Sequence, residues 1–538
     1  MKLMKINRLF LSIFLSVILI ISFLKSVQAQ SGNQSDITNP DPQEIVNPGN
    51  QSDITNPDPQ EVVKPGNQSD ITNPDTQEII NPDNDNKNTG VIVVDRNEFD
   101  RDFSAATPEE AVNKLEELQA FQFGKYLGTD FFGDIASTED IANNLSNLAK
   151  KTNRKAAVIY VTALKDKLSL ILIPPIENQK NISSNAKSLQ PITQTPAYQT
   201  KIIRKDVIEA KNSNIQKVAK EFRVKITNNR RNDYLDDAQK LYKWIIEPLE
   251  PALKANKINT LIFSMDNGLR TIPMAALHDG KQFLIEKYSI GIIPSFSLTD
   301  TRYIPIVNSD ILAMGISQST EGQEPLPSVP IEIDTISKQI WQSQAQIFLN
   351  ESSTINNLKT FSIKNNYGII HLATHGDFKP GKINNSYIQL WNEKINLQQL
   401  KKLSQELNWN KNPKVEMLVL SACRTALGSQ EVELGFSGLA VQAGVKSVLG
   451  SLWYVSDQGS LALMTKFYEQ LKMTSLRSES LRQAQLAMLK GEVRIANEQL
   501  YLSPDKRISL PPELSNLGKI DLSHPYFWSA FTMVGNWN

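Results

Sequence analysis

Two short runs hold residues able to do nucleophilic chemistry. Residues 367–378, "YGIIHLATHGDF", carry His375-Gly376-Asp377, and residues 415–428, "VEMLVLSACRTALG", carry Cys423. Cys423 is the single cysteine of the 538-residue chain. A thiol is weakly ionised at neutral pH, and a nearby imidazole can take its proton and make it a nucleophile. Each residue stands where an apolar, strand-like run gives out. In an open parallel sheet, ligands bind beyond the carboxyl ends of the strands. If the two runs are adjacent parallel strands, imidazole and thiol share one edge. A strand-to-loop transition also leaves backbone N–H groups unpaired, so the amides of Gly376 and Cys423 become candidates for an oxyanion hole. Gly376, without a side chain, lets a substrate backbone come close. The competing reading of Cys423 is an inert, buried cysteine.

Other residues compete for the remaining roles. Trp453 and Asp457, in "SLWYVSD", follow a further strand-like run and are candidates for a substrate pocket. A carboxylate there would favour a basic substrate side chain, with Asp377 and Glu433 as rivals for that role. Ser456-Asp457 also makes a good cap for a helix beginning near Gln458. His371 precedes His375 by four, but its run is strand-like and lacks the glutamate of a zinc-binding helix, so it reads as a core residue. His278 and His524 read as structural. "GFSGL" (435–439) has Leu439 where a nucleophile elbow needs glycine. No metal site, cofactor site or phosphate loop is expected.

Elements must bring these residues together. "TPEEAVNKLEELQAF" opens with a cap, a proline in the first turn and acids at the positive helix end. "AAVIYVTAL" and "LSLILIPP" flank Lys165-Asp166-Lys167 as a hairpin, and 177–200 reads as a loop. From Asp233 onward, apolar runs at 258–266, 310–317, 367–375, 415–423, 445–453 and 528–535 alternate with helical segments. That pattern predicts a parallel sheet covered on both faces. The expected division is 91–232 as a helical and hairpin extension and 233–538 as one α/β/α domain.

The amino-terminal part is of another kind. Residues 1–29 combine four basic residues, an apolar run from Leu9 to Leu24 and the small-x-small end Val27-Gln28-Ala29, the pattern of an export signal. Residues 30–90 repeat "GNQSDITNPDPQEIVNP" with a 17-residue period from Gly32, Gly49 and Gly66, and carry 11 acids and 2 lysines. Such a tract cannot bury enough surface to offset chain entropy and reads as a disordered linker. Charge over the whole chain is balanced, 57 basic against 57 acidic residues, which excludes a strongly basic nucleic-acid footprint. The expected setting is periplasmic or extracellular, with no stable membrane contact once the signal is removed.

The spacing carries a resemblance. His375 lies 48 residues before Cys423, and a histidine about 50 residues upstream of an Ala-Cys-Arg cysteine is the caspase arrangement. Ser421 and Thr425 depart from the caspase signature on either side. Residues from about 150 to 538 resemble a CHAT domain, a caspase-like peptidase module of cyanobacterial type. The matching stretches include "LIFSMDNGLRTIPMAALHDG", "HLATHGDF", "VLSACRTALG", "LGFSGLAVQAGVKSVLGSLWYVSD" and "HPYFWSAFTMVGNW". The resemblance implies a caspase-like sandwich, a dyad of His375 and Cys423, and hydrolysis of a protein or peptide through a thioester. It also implies a regulatory protein partner. The tetratricopeptide repeats often fused to such domains have no counterpart here; the 17-residue repeat stands in their place. The alternative is a catalytically silent scaffold on the same fold.

Overall fold

The computed structural model describes residues 94–129, 131, 133, 135–176, 201–342, 345–409, 415–425, 430–515 and 520–538; within these, the side chains of 423–425, 430 and 431 are not described. The expected signal, the repeat tract and the 177–200 loop lie outside the described residues. Among those described, no helix is long and apolar enough to cross a membrane.

Among the described residues, sixteen strands are present in chain order: β1 (Ala156–Ala163), β2 (Leu168–Ile173), β3 (Ile203–Val207), β4 (Thr260–Met265), β5 (Ser289–Ile293), β6 (Asp310–Gly315), β7 (Ala345–Leu349), β8 (Tyr367–Phe378), β9 (Tyr387–Leu390), β10 (Glu393–Asn396), β11 (Met417–Thr425), β12 (Ser447–Ser451), β13 (Arg494–Ala496), β14 (Gln499–Tyr501), β15 (Arg507–Ser509) and β16 (Phe531–Gly535). Thirteen of them build one sheet, and β13–β15 form a small separate one. The main sheet runs β7-β6-β8-β11-β12-β16-β5-β4-β1-β2-β3, with the β9–β10 hairpin attached to the far end of β8. Strands β7, β6, β8, β11 and β12 are all parallel, as are β1, β4 and β5. Their residues are almost all buried, as expected for strands covered on both faces.

The parallel expectation fails at the 528–535 run, where β16 lies antiparallel to β12, and at the 258–266 run, because β5, β4 and β1 follow β16 and run opposite to the β7-β6-β8-β11-β12 block. For β16 the cause is in the connection. Two mutually packed helices, Asp457–Thr474 and Arg477–Leu489, separate the strands. An even number of passes returns the chain to the sheet edge it left, so the next strand runs back. The stretch expected as an extension contributes β1–β3 to the same sheet, with β1 and β2 paired as the predicted hairpin. Its helix Pro108–Leu127 begins with the expected cap. Thr107 Oγ1 accepts from the Glu110 amide, and the Glu110 carboxylate accepts from the Thr107 amide.

Candidate active site

Within the block β7-β6-β8-β11-β12, the first strand in sequence, β6, sits between the second and third. This is the 2-1-3-4-5 order, in which the connections after the first and third strands leave in opposite directions and open a crevice at their carboxyl ends. Strand β6 stops at Gly315, which pairs with Ala373. Strand β8 continues past it, and β9 takes the vacated side at Gly376 and Asp377. His375 therefore lies at the mouth of the crevice between β6 and β8.

Strand β11 follows β8 on the other side. The register steps from Leu420 opposite Leu372 to Ala422 opposite His375, then to Cys423 opposite Gly376. Strand β8 takes three residues where β11 takes two, a bulge that re-aims the end of the strand. The backbone of Cys423 thus lies one register position from His375. Regular strands send successive residues to opposite faces, so the bulge matters for bringing the pair together. Strand β12 pairs with β11 only from Met417 to Val419. Beyond that, among the described residues, no strand pairs with this edge of β11.

His375 is held by a group without a sequence signature. Its Nε2 lies 2.7 Å from the carbonyl oxygen of Glu324, in the connection after β6. A carbonyl only accepts, so Nε2 carries the proton, and in the neutral ring Nδ1 keeps the lone pair. Pro325 follows Glu324 and restricts it to extended conformations.

The other expected site residues fall out differently. Both strands outrun the ends predicted for them, so Gly376 is flanked by β11 and β9 and its amide does not stand at a strand terminus. Trp453 is 4% exposed and donates its indole N–H to the Tyr526 carbonyl at 3.0 Å. It is a core residue; its neighbour Tyr454, 38% exposed, is the aromatic that faces outward. Ser456 caps the helix Asp457–Thr474. Asp457 is occupied too: it accepts from the Ser328 amide at 2.6 Å and the Ser328 hydroxyl at 2.5 Å. Burial pushes its carboxyl up to about 6, against the pull of those two bonds, with Glu332 adding a push in the same direction as burial. Asp377 pairs with Lys379 at 3.3 Å.

Glu433, 1% exposed, accepts from the Gly268 amide at 2.6 Å and from Thr271 at 3.1 Å. Burial raises its carboxyl above the usual range, opposed by the nearby Arg270 and Arg223. It braces the helix Gln430–Ser437 against the turn after β4 and offers no pocket charge. His371 is fully buried between Glu332 (2.9 Å) and the Tyr468 hydroxyl (3.1 Å). His278 accepts from the Gly280 amide, and His524 from the Tyr526 amide, each in a local turn. Among the described residues, no three His, Cys, Asp or Glu side chains converge as a metal site.

The protein is of mixed α/β class, with a mostly parallel central sheet that carries a histidine and a cysteine on neighbouring strands. The chain belongs to the CHAT domain family, whose sequence model matches residues 235–536. No curated protein matches it in sequence. Among solved structures it is similar to the Saccharomyces cerevisiae separase–securin complex, at 11% identity and a TM-score of 0.37. That match covers 83% of this chain and 34% of the other, so the chain spans about a third of that length. It is also similar to the complex of Porphyromonas gingivalis RgpB pro- and mature domains, at 9% identity and a TM-score of 0.34, covering 60% of this chain and 77% of the other.

Proposed function

We propose that the chain is a cysteine endopeptidase in which Cys423 is the nucleophile and His375 the general base and acid. The observation that carries the reading is the fixed imidazole. A carbonyl holds Nε2–H, Nδ1 is left as the base, and the Cys423 backbone lies one register position away. In the first step Nδ1 takes the thiol proton as sulfur bonds to the substrate carbonyl carbon. The oxyanion collapses, the C–N bond breaks, and His375 returns the proton to the departing amine. Water then adds to the thioester, giving its proton to His375. The C–S bond breaks, and the thiolate is reprotonated. The edge of β11 beyond Val419, where no described strand pairs with it, gives an extended peptide a place to lie. The substrate is a protein or peptide met after export, and a regulatory protein partner is part of this reading.

A second reading, an interaction module without turnover, draws on Gly376. Flanked by strands on both edges, its amide has no open side for an oxyanion unless β9 moves. A peptide-library cleavage assay on the wild type and Cys423→Ala decides between them. Under the first reading, the wild type cuts and the variant loses activity by several orders of magnitude. Equal cleavage by both, or labelling of neither by a thiol-directed peptidyl probe, sinks it.

A further inference from the structure

The connection between β6 and the helix Val329–Asp334 runs over the surface, with Gln318, Ser319, Glu321, Glu324 and Pro325 exposed. A surface segment holds a carbonyl still only where it is pinned. Its pins include three that reach other elements of the fold through side chains. The Ser317 amide and hydroxyl donate to Asn350 Oδ1 at 2.9 and 3.2 Å. Gln323 Nε2 donates to the Tyr387 hydroxyl at 3.1 Å. At the far end, the fully buried Ser328 donates both its amide and its hydroxyl to Asp457.

The first two pins come from the β7 and β9 side. The third comes from across the site, from the first residue of the helix that follows β12. Asp457 stands three residues after Tyr454, at the end of the segment Leu452–Ser456 that follows β12. Two donors on one carboxylate make a strong, directional anchor, and removing it would leave buried donors unpaired.

We propose that Asp457 is a positioning residue: through Ser328 it fixes the connection whose Glu324 carbonyl orients His375, and so couples the substrate-side segment Leu452–Ser456 to the tautomer of the base. The proposal rests on the hydrolytic reading above. A peptide lying along Leu452–Ser456 acts on the base through the chain from Tyr454 to Asp457 and the two bonds to Ser328.

The test uses the full chain with nitrogen-labelled histidine, alongside the Ser328→Ala, Ser328→Thr, Asp457→Asn and double Ser328→Ala/Asp457→Asn variants. There are four histidines, and His375→Gln assigns the His375 signal. The wild-type ring is expected in the Nε2–H form. Ser328→Ala and Asp457→Asn each admit the Nδ1–H form and lower kcat about 10- to 100-fold, with KM little changed. The double variant falls no further than the worse single one, and Ser328→Thr, which keeps both donors, behaves as wild type. Ser328→Ala leaves the amide donor in place, so it reports even where Asp457→Asn folds poorly. Unchanged imidazole spectra and kcat in both single variants overturn the proposal. A wild type that hydrolyses nothing, with spectra that respond as expected, sinks the peptidase reading and upholds the clamp.

Discussion

The Nε2–H of His375 donates to the carbonyl oxygen of Glu324 across 2.7 Å, and this bond decides which ring nitrogen serves as a base. The histidine lies on one strand, just past the level where its neighbour β6 stops, and the carbonyl belongs to the connection after β6. Their meeting is a product of strand order, since only the 2-1-3-4-5 arrangement opens the crevice between β6 and β8.

Pro325 keeps the residue carrying that carbonyl extended. Pro325→Gly widens the range open to Glu324 without touching substrate or imidazole. Steady-state kinetics on a fluorogenic peptide should show kcat reduced several-fold and KM unchanged. A rise in KM alone would place Pro325 in substrate binding instead.

Asp457 makes stability depend on pH in a definite direction. Its carboxyl titrates near 6 when folded, against 3.8 as the ordinary value. The folded chain holds this proton more tightly than the unfolded chain. The contribution is therefore fully present below about 4 and is lost as pH rises through 6, a difference of about 3 kcal/mol at most. Glu332 and Tyr454 face the group and shape the curve. Urea denaturation at pH 5 and 7.5 should show the wild type gaining stability at pH 5 relative to Asp457→Asn. A pH-independent gap between the two proteins would refute the assignment.

Trp453 and Tyr454 should separate stability from binding. Trp453→Ala empties a core position and costs ~3–5 kcal/mol. Tyr454→Ala, from an exposed ring, changes stability by under about 1 kcal/mol and raises KM. Melting midpoints and peptide kinetics on the two variants check this, and a large stability loss for Tyr454→Ala would contradict it.

Glu433 tests whether the active-site helix is braced from below. Glu433→Ala leaves the buried Arg223 without its anion and Arg270 with only Asp266, and should destabilise by ~3 kcal/mol. Glu433→Gln, which keeps an acceptor for Gly268 and Thr271, should cost less. Neither variant should alter the preferred residue in a cleavage profile; a changed preference would return Glu433 to the pocket.

The placement of His375 and Cys423 was legible because both close long apolar runs, and continuous apolar runs separated by helices have few arrangements other than neighbouring parallel strands. The core role of His371 followed from the same run. Glu324 left no trace, because a backbone carbonyl carries no residue signature and lies 51 residues from its partner. Trp453 and Tyr454 are adjacent, and which of them turns inward depends on where the chain leaves the strand, a matter of tertiary register. Asp457 was recognised as polar and well placed, but its partner Ser328 lies 129 residues away. The reversed direction of β16 was hidden for another reason. An apolar strand reads the same in either direction, and only the count of helical passes before it decides.

That strand also sets an order of events. β16 comes last among the strands yet sits in the interior of the sheet, between β12 and β5. Until Phe531–Gly535 leaves the ribosome, the two half-sheets have open edges and no shared seam. The half-sheet that carries His375 and Cys423 is made by Ser451, and its seam to the other half waits for Phe531–Gly535.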